Sequence, residues 1–266
     1  MIKYYIAVIA VIFAMLTCTR AALAEDVITL NKDTVLFRAD FDDDSAGKFI
    51  KDITMTGGDT IDIFLDSPGG SVMALDRMIS AADALKAGGK KIRCFVDFAA
   101  SAAFMLAESI CDERIVQQHS VFMQHQAAFG VRGQTNRIAS FYKFILGILD
   151  RLDDRVAKRL GISTEEYRAK SADDWWTSGD DAVKQGLADR RAFLRCDPEL
   201  LKNERKYTIQ VFIFTVNVTE SSCPLIPPQW ELATGGLDDR EMPKASARER
   251  FEQFREHYTM DVLFRQ

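Results

Sequence analysis

Three residues of this chain have the side chains that acyl transfer by a serine hydrolase requires. Ser101 could serve as the nucleophile, His125 as the general base and Asp174 as the acid that orients the imidazole. Ser101 follows an apolar run and is flanked by alanines, and His125 lies at the end of a second apolar run. The three residues therefore predict a catalytic triad, provided that the fold brings them together.

Residues 61–71 supply a candidate for the fourth part of such a site, a backbone donor for the oxyanion. They form an apolar run that breaks into the turn Asp-Ser-Pro-Gly-Gly-Ser and then enters a helical pattern. Each feature also has a plain structural interpretation when it is taken alone. Ser101 could be a small residue at a helix–sheet contact, His125 a hydrogen-bonded core histidine and Asp174 a helix N-cap.

Four segments taken together resemble the proteolytic subunit of the Clp proteases. They are Asp-Ser-Pro-Gly-Gly-Ser at 66–71, Ala-Ala-Ser-Ala at 99–102, Met-Gln-His-Gln at 123–126 and Asp-Trp-Trp-Thr-Ser at 174–178. Their order and spacing are similar to those of the family over residues 33–192. The resemblance implies a peptidase that acts on peptide or protein substrates through Ser101, His125 and Asp174. It also implies an oxyanion hole made by the backbone N–H groups of Gly70 and Ala102.

Three positions depart from the family's pattern and keep other functions open. Asp66 replaces an asparagine and adds a negative charge near the expected oxyanion site, Asp97 replaces a glycine on the approach to Ser101, and Ala127 replaces a proline. Asp66 and Asp97 favour a non-catalytic scaffold that keeps the fold. A crotonase-like acyl-CoA enzyme is the other alternative, because the crotonases share the fold and its oxyanion hole. It is disfavoured because coenzyme A is not expected outside the cytoplasm.

The elements that must position these residues follow an α/β pattern. Short apolar runs alternate with segments of helical period, which predicts a mostly parallel sheet with crossover helices. The resemblance implies the ββα spiral shared by the Clp proteases and the crotonases, followed by a C-terminal appendage. We expect strands over 35–39, 60–65, 91–96, 114–116 and 121–123, and helices over 43–55, 72–85, 102–108 and 135–160.

The chain divides into a leader, one large domain and a tail. Residues 1–24 contain Lys3, an uncharged apolar run and the small-residue motif Ala-Leu-Ala at 22–24, which predicts a secretory signal peptide cleaved after Ala24. We therefore expect a periplasmic or secreted protein, and an uncleaved membrane anchor is the alternative. Residues 25–197 form the predicted catalytic domain, and 198–266 form an appendage with one long strand over 207–218 and a helix over 245–264.

The cysteines fit an oxidising compartment. Four of them follow the predicted cleavage site, and proximity in sequence favours the disulfides Cys94–Cys111 and Cys196–Cys223 over the other pairings. Cys94 and Cys111 could equally be small apolar core residues. No motif of metal-binding spacing is present, so we expect neither a metal nor another cofactor.

Charge and surface patterning bear on the partners. With 34 basic and 39 acidic residues, the chain has a formal net charge of −5, and no basic patch suggests nucleic-acid binding. An exported protein has no supply of ATP, so no ATPase partner is expected. The long predicted helix carries a broad apolar stripe, which together with the ring assembly of the resembled family predicts a homo-oligomer. Burial of the stripe against the C-terminal appendage of the same chain is the alternative. The stripe consists of Phe141, Phe144, Ile145, Ile148 and Leu149.

Overall fold

A computed structural model describes residues 26–211 and 214–233, and its centre is a six-stranded sheet. Its strands are β2 Val35–Phe37, β3 Thr60–Ser67, β4 Lys91–Ala100, β5 Glu113–Gln124, β6 Trp175–Ser178 and β7 Arg190–Arg191. The strand order is β2-β3-β4-β5-β6, and β7 pairs with the N-terminal part of β5. Strands β2 to β5 are parallel to one another, whereas β6 runs antiparallel to β5.

Helices cover one face of this sheet. Apolar side chains of β3, β4 and β5 pack there against the apolar faces of the helices and form the larger of the hydrophobic cores. The mostly parallel sheet with crossover helices is the α/β fold that the sequence predicts. The helices are α1 Asp43–Met55, α2 Val72–Ala87, α3 Ala102–Ile110, α4 Thr135–Leu160, α5 Thr164–Lys170 and α6 Gly179–Lys184.

The helix boundaries follow from capping residues. Asp42 accepts a hydrogen bond from the backbone N–H of Ser45 and forms a capping box at the start of α1. Ser71 caps α2 in the same way, directly after the glycine turn. At the other end of the molecule, Gly161 adopts a left-handed conformation with φ of 70° and ends α4.

The second face of the sheet is covered by the chain termini of the described region. Strand β1 (Val27–Leu30) pairs in parallel with β8 (Phe193–Cys196), and the helix α7 (Pro198–Lys202) follows. Side chains from these elements pack against this face with Cys223 and its neighbours. The disulfide Cys196–Cys223 joins the appendage to β8, with the two Cα atoms 5.7 Å apart. A second disulfide, Cys94–Cys111, joins β4 to the residue that follows α3.

The appendage differs from its prediction. Instead of one strand over 207–218, the strands β9 (Glu204–Val211) and β10 (Phe214–Ser221) form an antiparallel hairpin, and β11 (Gln229–Leu232) pairs with β10. The prediction failed because the sequence between β9 and β10 contains no Gly, Pro, Asn or Asp to mark a reversal of the chain. The expected helix over 245–264 and the signal peptide lie outside the described residues.

The apolar stripe of α4 is divided between core and surface. Ile145 and Ile148 are buried, whereas the side chains of Phe141 and Phe144 are 45% and 53% exposed. Leu200, Cys223 and their neighbours in the appendage pack against the opposite face of the sheet, and the two phenylalanines remain exposed. Within residues 26–211 and 214–233, no helix is long and apolar enough to cross a membrane.

Candidate active site

Ser101 occupies the turn between β4 and α3 in a strained backbone conformation. Its φ of 55° makes it the only non-glycine residue with a positive φ in the described part of the chain. The turn is held by a hydrogen bond of 2.8 Å from the Ser101 N–H to the carbonyl of Met123. Strain of this kind persists only where surrounding structure enforces it, and it is concentrated at functional sites. Here the strained turn presents the serine side chain at the C-terminal end of β4.

His125 follows the end of β5, the strand adjacent to β4. The parallel register pairs Ala100 with Met123, so the two strands end at the same level. The imidazole Nε2 of His125 consequently lies 2.9 Å from Ser101 Oγ. This is hydrogen-bonding distance between a nucleophile and its general base.

The turn at Gly69 and Gly70 packs directly against the serine turn. A Cβ atom at Gly69 would lie 2.6 Å from the Ala100 carbonyl oxygen and 2.8 Å from the Ala102 nitrogen. At Gly70 it would lie 2.7 Å from the carbonyl oxygen of Phe41. The φ values of 97° and 135° also require glycine. The glycines are therefore needed for close backbone packing: a side chain at Gly70 would meet Phe41, whereas the Gly70 backbone lines the cleft.

Two backbone N–H groups beside Ser101 have no acceptor among the described residues. They belong to Gly70 and to Ala102, the first residue of α3. The N-terminal end of a helix carries partial positive charge, which adds to the attraction of the Ala102 N–H for an anion. Both residues line the cleft with Ser101, and their N–H groups could donate to an oxyanion formed on a bound substrate.

A cleft of about 1240 Å³ opens in front of Ser101 and His125. Its walls are mainly apolar and come from α2, α3 and α4, and its polar groups include the side chains of Gln124, Asp153 and Arg168. A volume of this size and polarity suits an organic ligand or a peptide side chain. The apolar wall residues include Val72, Met73, Met105, Ile145, Leu146 and Leu149.

Asp174 is not joined to His125 in the structure. The Asp174 side chain is exposed, does not line the cleft and makes no hydrogen bond or ion pair with a described residue. The reason lies in the strand pairing. The antiparallel ladder of β5 and β6 ends at the pair Gln124 and Trp175, and one more step would place Asp174 opposite His125. The aspartate therefore lies just beyond the last pair.

The two aspartates that depart from the family's pattern do not line the cleft. Asp66 forms an ion pair with Arg38 at 3.0 Å. Burial raises the pKa of Asp66, and Arg38 opposes that effect. Asp97 occupies a bulge in β4, where the register shifts, and its carboxylate lies 3.0 Å from His119 Nε2. The Asp66 charge is thus paired with Arg38, the Asp97 carboxylate contacts His119, and only Ala127, the third departure, lines the cleft.

Sequence reasoning missed a group of buried polar residues behind the site. Glu108 of α3 accepts a hydrogen bond from Arg114 of β5, and Arg114 also forms an ion pair with Asp189. Burial raises the pKa of Glu108 to about 8, against the opposing attraction of Arg114. Gln124 donates to the Tyr167 hydroxyl at 2.5 Å. Glu108 stands out in the sequence as a charge in an otherwise uncharged apolar helix, and this was the one available signal.

Comparison with known protein families agrees with this geometry. The family model described as Clp protease matches residues 22–192, which include Ser101, His125, Asp174 and the glycine turn. The match covers more than half of the chain and the whole of the six-stranded sheet. The chain belongs to the Clp protease family.

Proposed function

We propose that this protein is an exported serine peptidase that cleaves peptide bonds without ATP, with Ser101 as nucleophile and His125 as general base. The observation that carries the proposal is the 2.9 Å separation of Ser101 Oγ from His125 Nε2 at the mouth of the cleft. Membership of the Clp protease family supports a serine peptidase in general. Members of the family generally form oligomers and act on peptides.

The reaction follows from the positions of the groups. Ser101 Oγ attacks the scissile carbonyl carbon while its proton moves to His125 Nε2, and the resulting oxyanion accepts hydrogen bonds from Gly70 and Ala102. One such donor contributes roughly 3–4 kcal/mol to lowering the barrier. His125 then protonates the leaving amine as the carbon–nitrogen bond breaks. Water activated by His125 hydrolyses the acyl ester and restores the serine.

Asp174 completes the proposed triad by orienting His125. Because Asp174 lies one step beyond the end of the β5–β6 ladder, adding one residue pair would bring it opposite His125. Hydrogen bonds of a catalytic site often tighten only when substrate is bound. We expect D174N to lower kcat by a factor of about a hundred or more while changing KM little.

Peptide hydrolysis in the absence of nucleotide tests the proposal. The purified protein should cleave fluorogenic peptides, and S101A and H125A should each lower kcat at least about a thousandfold. S80A is a matched control, because the Ser80 hydroxyl is exposed and donates only to the carbonyl of Asp76. Equal activity of S101A and wild type would show that another residue carries the reaction.

Export is supported by the two disulfides, which form readily only in oxidising compartments. We expect mass spectrometry of the protein from a periplasmic or secreted fraction to find Glu25 or Asp26 at the N-terminus. An intact Met1 on protein from the cytoplasm would contradict this.

A non-catalytic scaffold is the second candidate function. The lack of contact between Asp174 and His125 is the observation that favours it. A scaffold would bind peptides but would neither hydrolyse them nor react with a fluorophosphonate.

A further inference from the structure

One part of the cleft is lined by charged and buried polar groups. Arg168 Nε donates to Asp153 Oδ2 at 2.8 Å, and Arg168 Nη2 donates to Asp150 Oδ1 at 2.7 Å. All three side chains line the same cleft as Ser101 and His125. The cleft therefore joins apolar walls to a region where carboxylates outnumber cations.

Asp153 is the least exposed of these charges. Its side chain is 17% exposed, whereas that of Arg168 is 47% exposed. Burial raises the pKa of Asp153, which means that its ionised form lacks part of the solvation it would have in water. Arg168 binds only the Oδ2 atom and divides its charge between two carboxylates. Asp153 Oδ1 has no hydrogen-bond partner within the described part of the chain.

Gln124 independently indicates a missing partner at this site. Its side chain is 3% exposed and lines the cleft, and its Oε1 atom has no hydrogen-bond donor among the described residues. A buried acceptor without a partner is costly, and such groups are rare in folded proteins. Gln124 Oε1 and Asp153 Oδ1 are both acceptors. A ligand that satisfies them must bring hydrogen-bond donors.

We propose that this part of the cleft is a subsite for a lysine or arginine side chain of the peptide substrate, recognised by Asp153 and Gln124. The inference rests on the proposed peptidase function. The apolar walls formed by Met105, Ile145 and Leu149 would contact the aliphatic stem, and the cationic head would donate to the two acceptors. Ser101 and the acceptors share one continuous cleft, so a residue next to the cleaved bond can reach the subsite, and we assign it to the acyl side.

Two series of variants test this subsite in opposite directions. Fluorogenic peptides that differ only in lysine, leucine or glutamate before the reporter should be cleaved in the order lysine, leucine, glutamate. D153N should lower kcat/KM for the lysine peptide by about tenfold or more and change the leucine peptide by less than about threefold. R168Q should increase the preference for lysine, because it removes the competing cation. A purely structural role would lower both rates in both variants.

D154N is the matched control, since the neighbouring Asp154 is exposed and accepts a hydrogen bond from Thr164 instead of lining the cleft. Calorimetric binding of the same peptides to S101A separates this proposal from the peptidase proposal. Tighter binding of the lysine peptide without any cleavage by wild type would support the subsite and refute the peptidase. Equal binding of the lysine and leucine peptides, or an unchanged preference in D153N, would overturn the subsite.

Discussion

Replacement of Gly69 by alanine tests whether the glycine turn and the serine turn depend on each other. The new Cβ would stand 2.6 Å from the Ala100 carbonyl oxygen and 2.9 Å from Ser101 Cβ. Neither neighbour is a flexible side-chain end that could move aside. The alanine would in addition have to adopt a φ near +97°. Both effects should destabilise the fold and displace the nucleophile.

Substitutions at two further glycines separate the two costs, that of the positive φ and that of the steric overlap, in the expected loss of stability. A non-glycine residue at positive φ costs about 1–2 kcal/mol, and overpacking against backbone adds about 1–3 kcal/mol, so G69A should lose about 2–5 kcal/mol. Gly58 has a φ of +73° with no atom within 4 Å of a new Cβ, so G58A should lose only the first amount. Gly57 has neither feature, and G57A should change the stability little or raise it by about 0.4–1 kcal/mol.

Denaturant unfolding followed by circular dichroism gives the three changes in the free energy of unfolding. Fluorophosphonate labelling of each variant, under conditions where it is folded, reports the position of Ser101. We expect slower labelling in G69A alone. If G69A is no less stable than G58A and is labelled at the wild-type rate, the glycine turn does not hold the nucleophile.

Three further results are expected. Removal of the disulfide by C196A/C223A should lower the free energy of unfolding by about 3–4 kcal/mol, for bridged residues 27 apart in sequence, as measured in denaturant with and without reductant. Burial raises the pKa of Glu108 in the folded protein from 4.5 to about 8. The stability linked to its protonated carboxyl group is therefore fully present below pH 4.5 and is lost as the pH rises through about 8. E108Q should therefore flatten the fall in stability over that range, and an identical pH dependence would exclude this cause. Light scattering of the mature protein should show an oligomer, and F141D/F144D should reduce its mass toward that of one mature chain; a monomeric wild type would contradict the interface.

The sequence predicted those helices and strands whose period and ends are marked by nearby residues. Helix α4 was expected over 135–160 and has those bounds, because its apolar period is long and Gly161 ends it. The meeting of Ser101 and His125 was expected from the resemblance of their segments to those of the Clp proteases, since each residue taken alone also had a structural interpretation. The hairpin of β9 and β10 could not, since no turn residue separates the strands and the β-branched composition is continuous.

The polar side of the cleft could not be predicted from the sequence, because it forms only when separate helices pack together. Asp153 and Arg168 belong to two different helices, each of which also carries many solvated charges. Nothing in their local sequence distinguishes them from the exposed Asp154. Only the packing of α4 against α5 brings the carboxylate and the guanidinium together in the cleft. Likewise, the pairing of Asp66 with Arg38 places the unexpected charge outside the cleft, which the sequence alone did not reveal.

Covalent labelling of Ser101 tests the assignment of the nucleophile most directly. The purified wild-type protein should react with a fluorophosphonate in the absence of ATP, and peptide mapping should place a single adduct on Ser101. H125A should react at least about a hundredfold more slowly, because the proton acceptor 2.9 Å from the hydroxyl is removed. A folded wild-type protein that remains unlabelled, or an adduct that persists in S101A, would contradict the assignment.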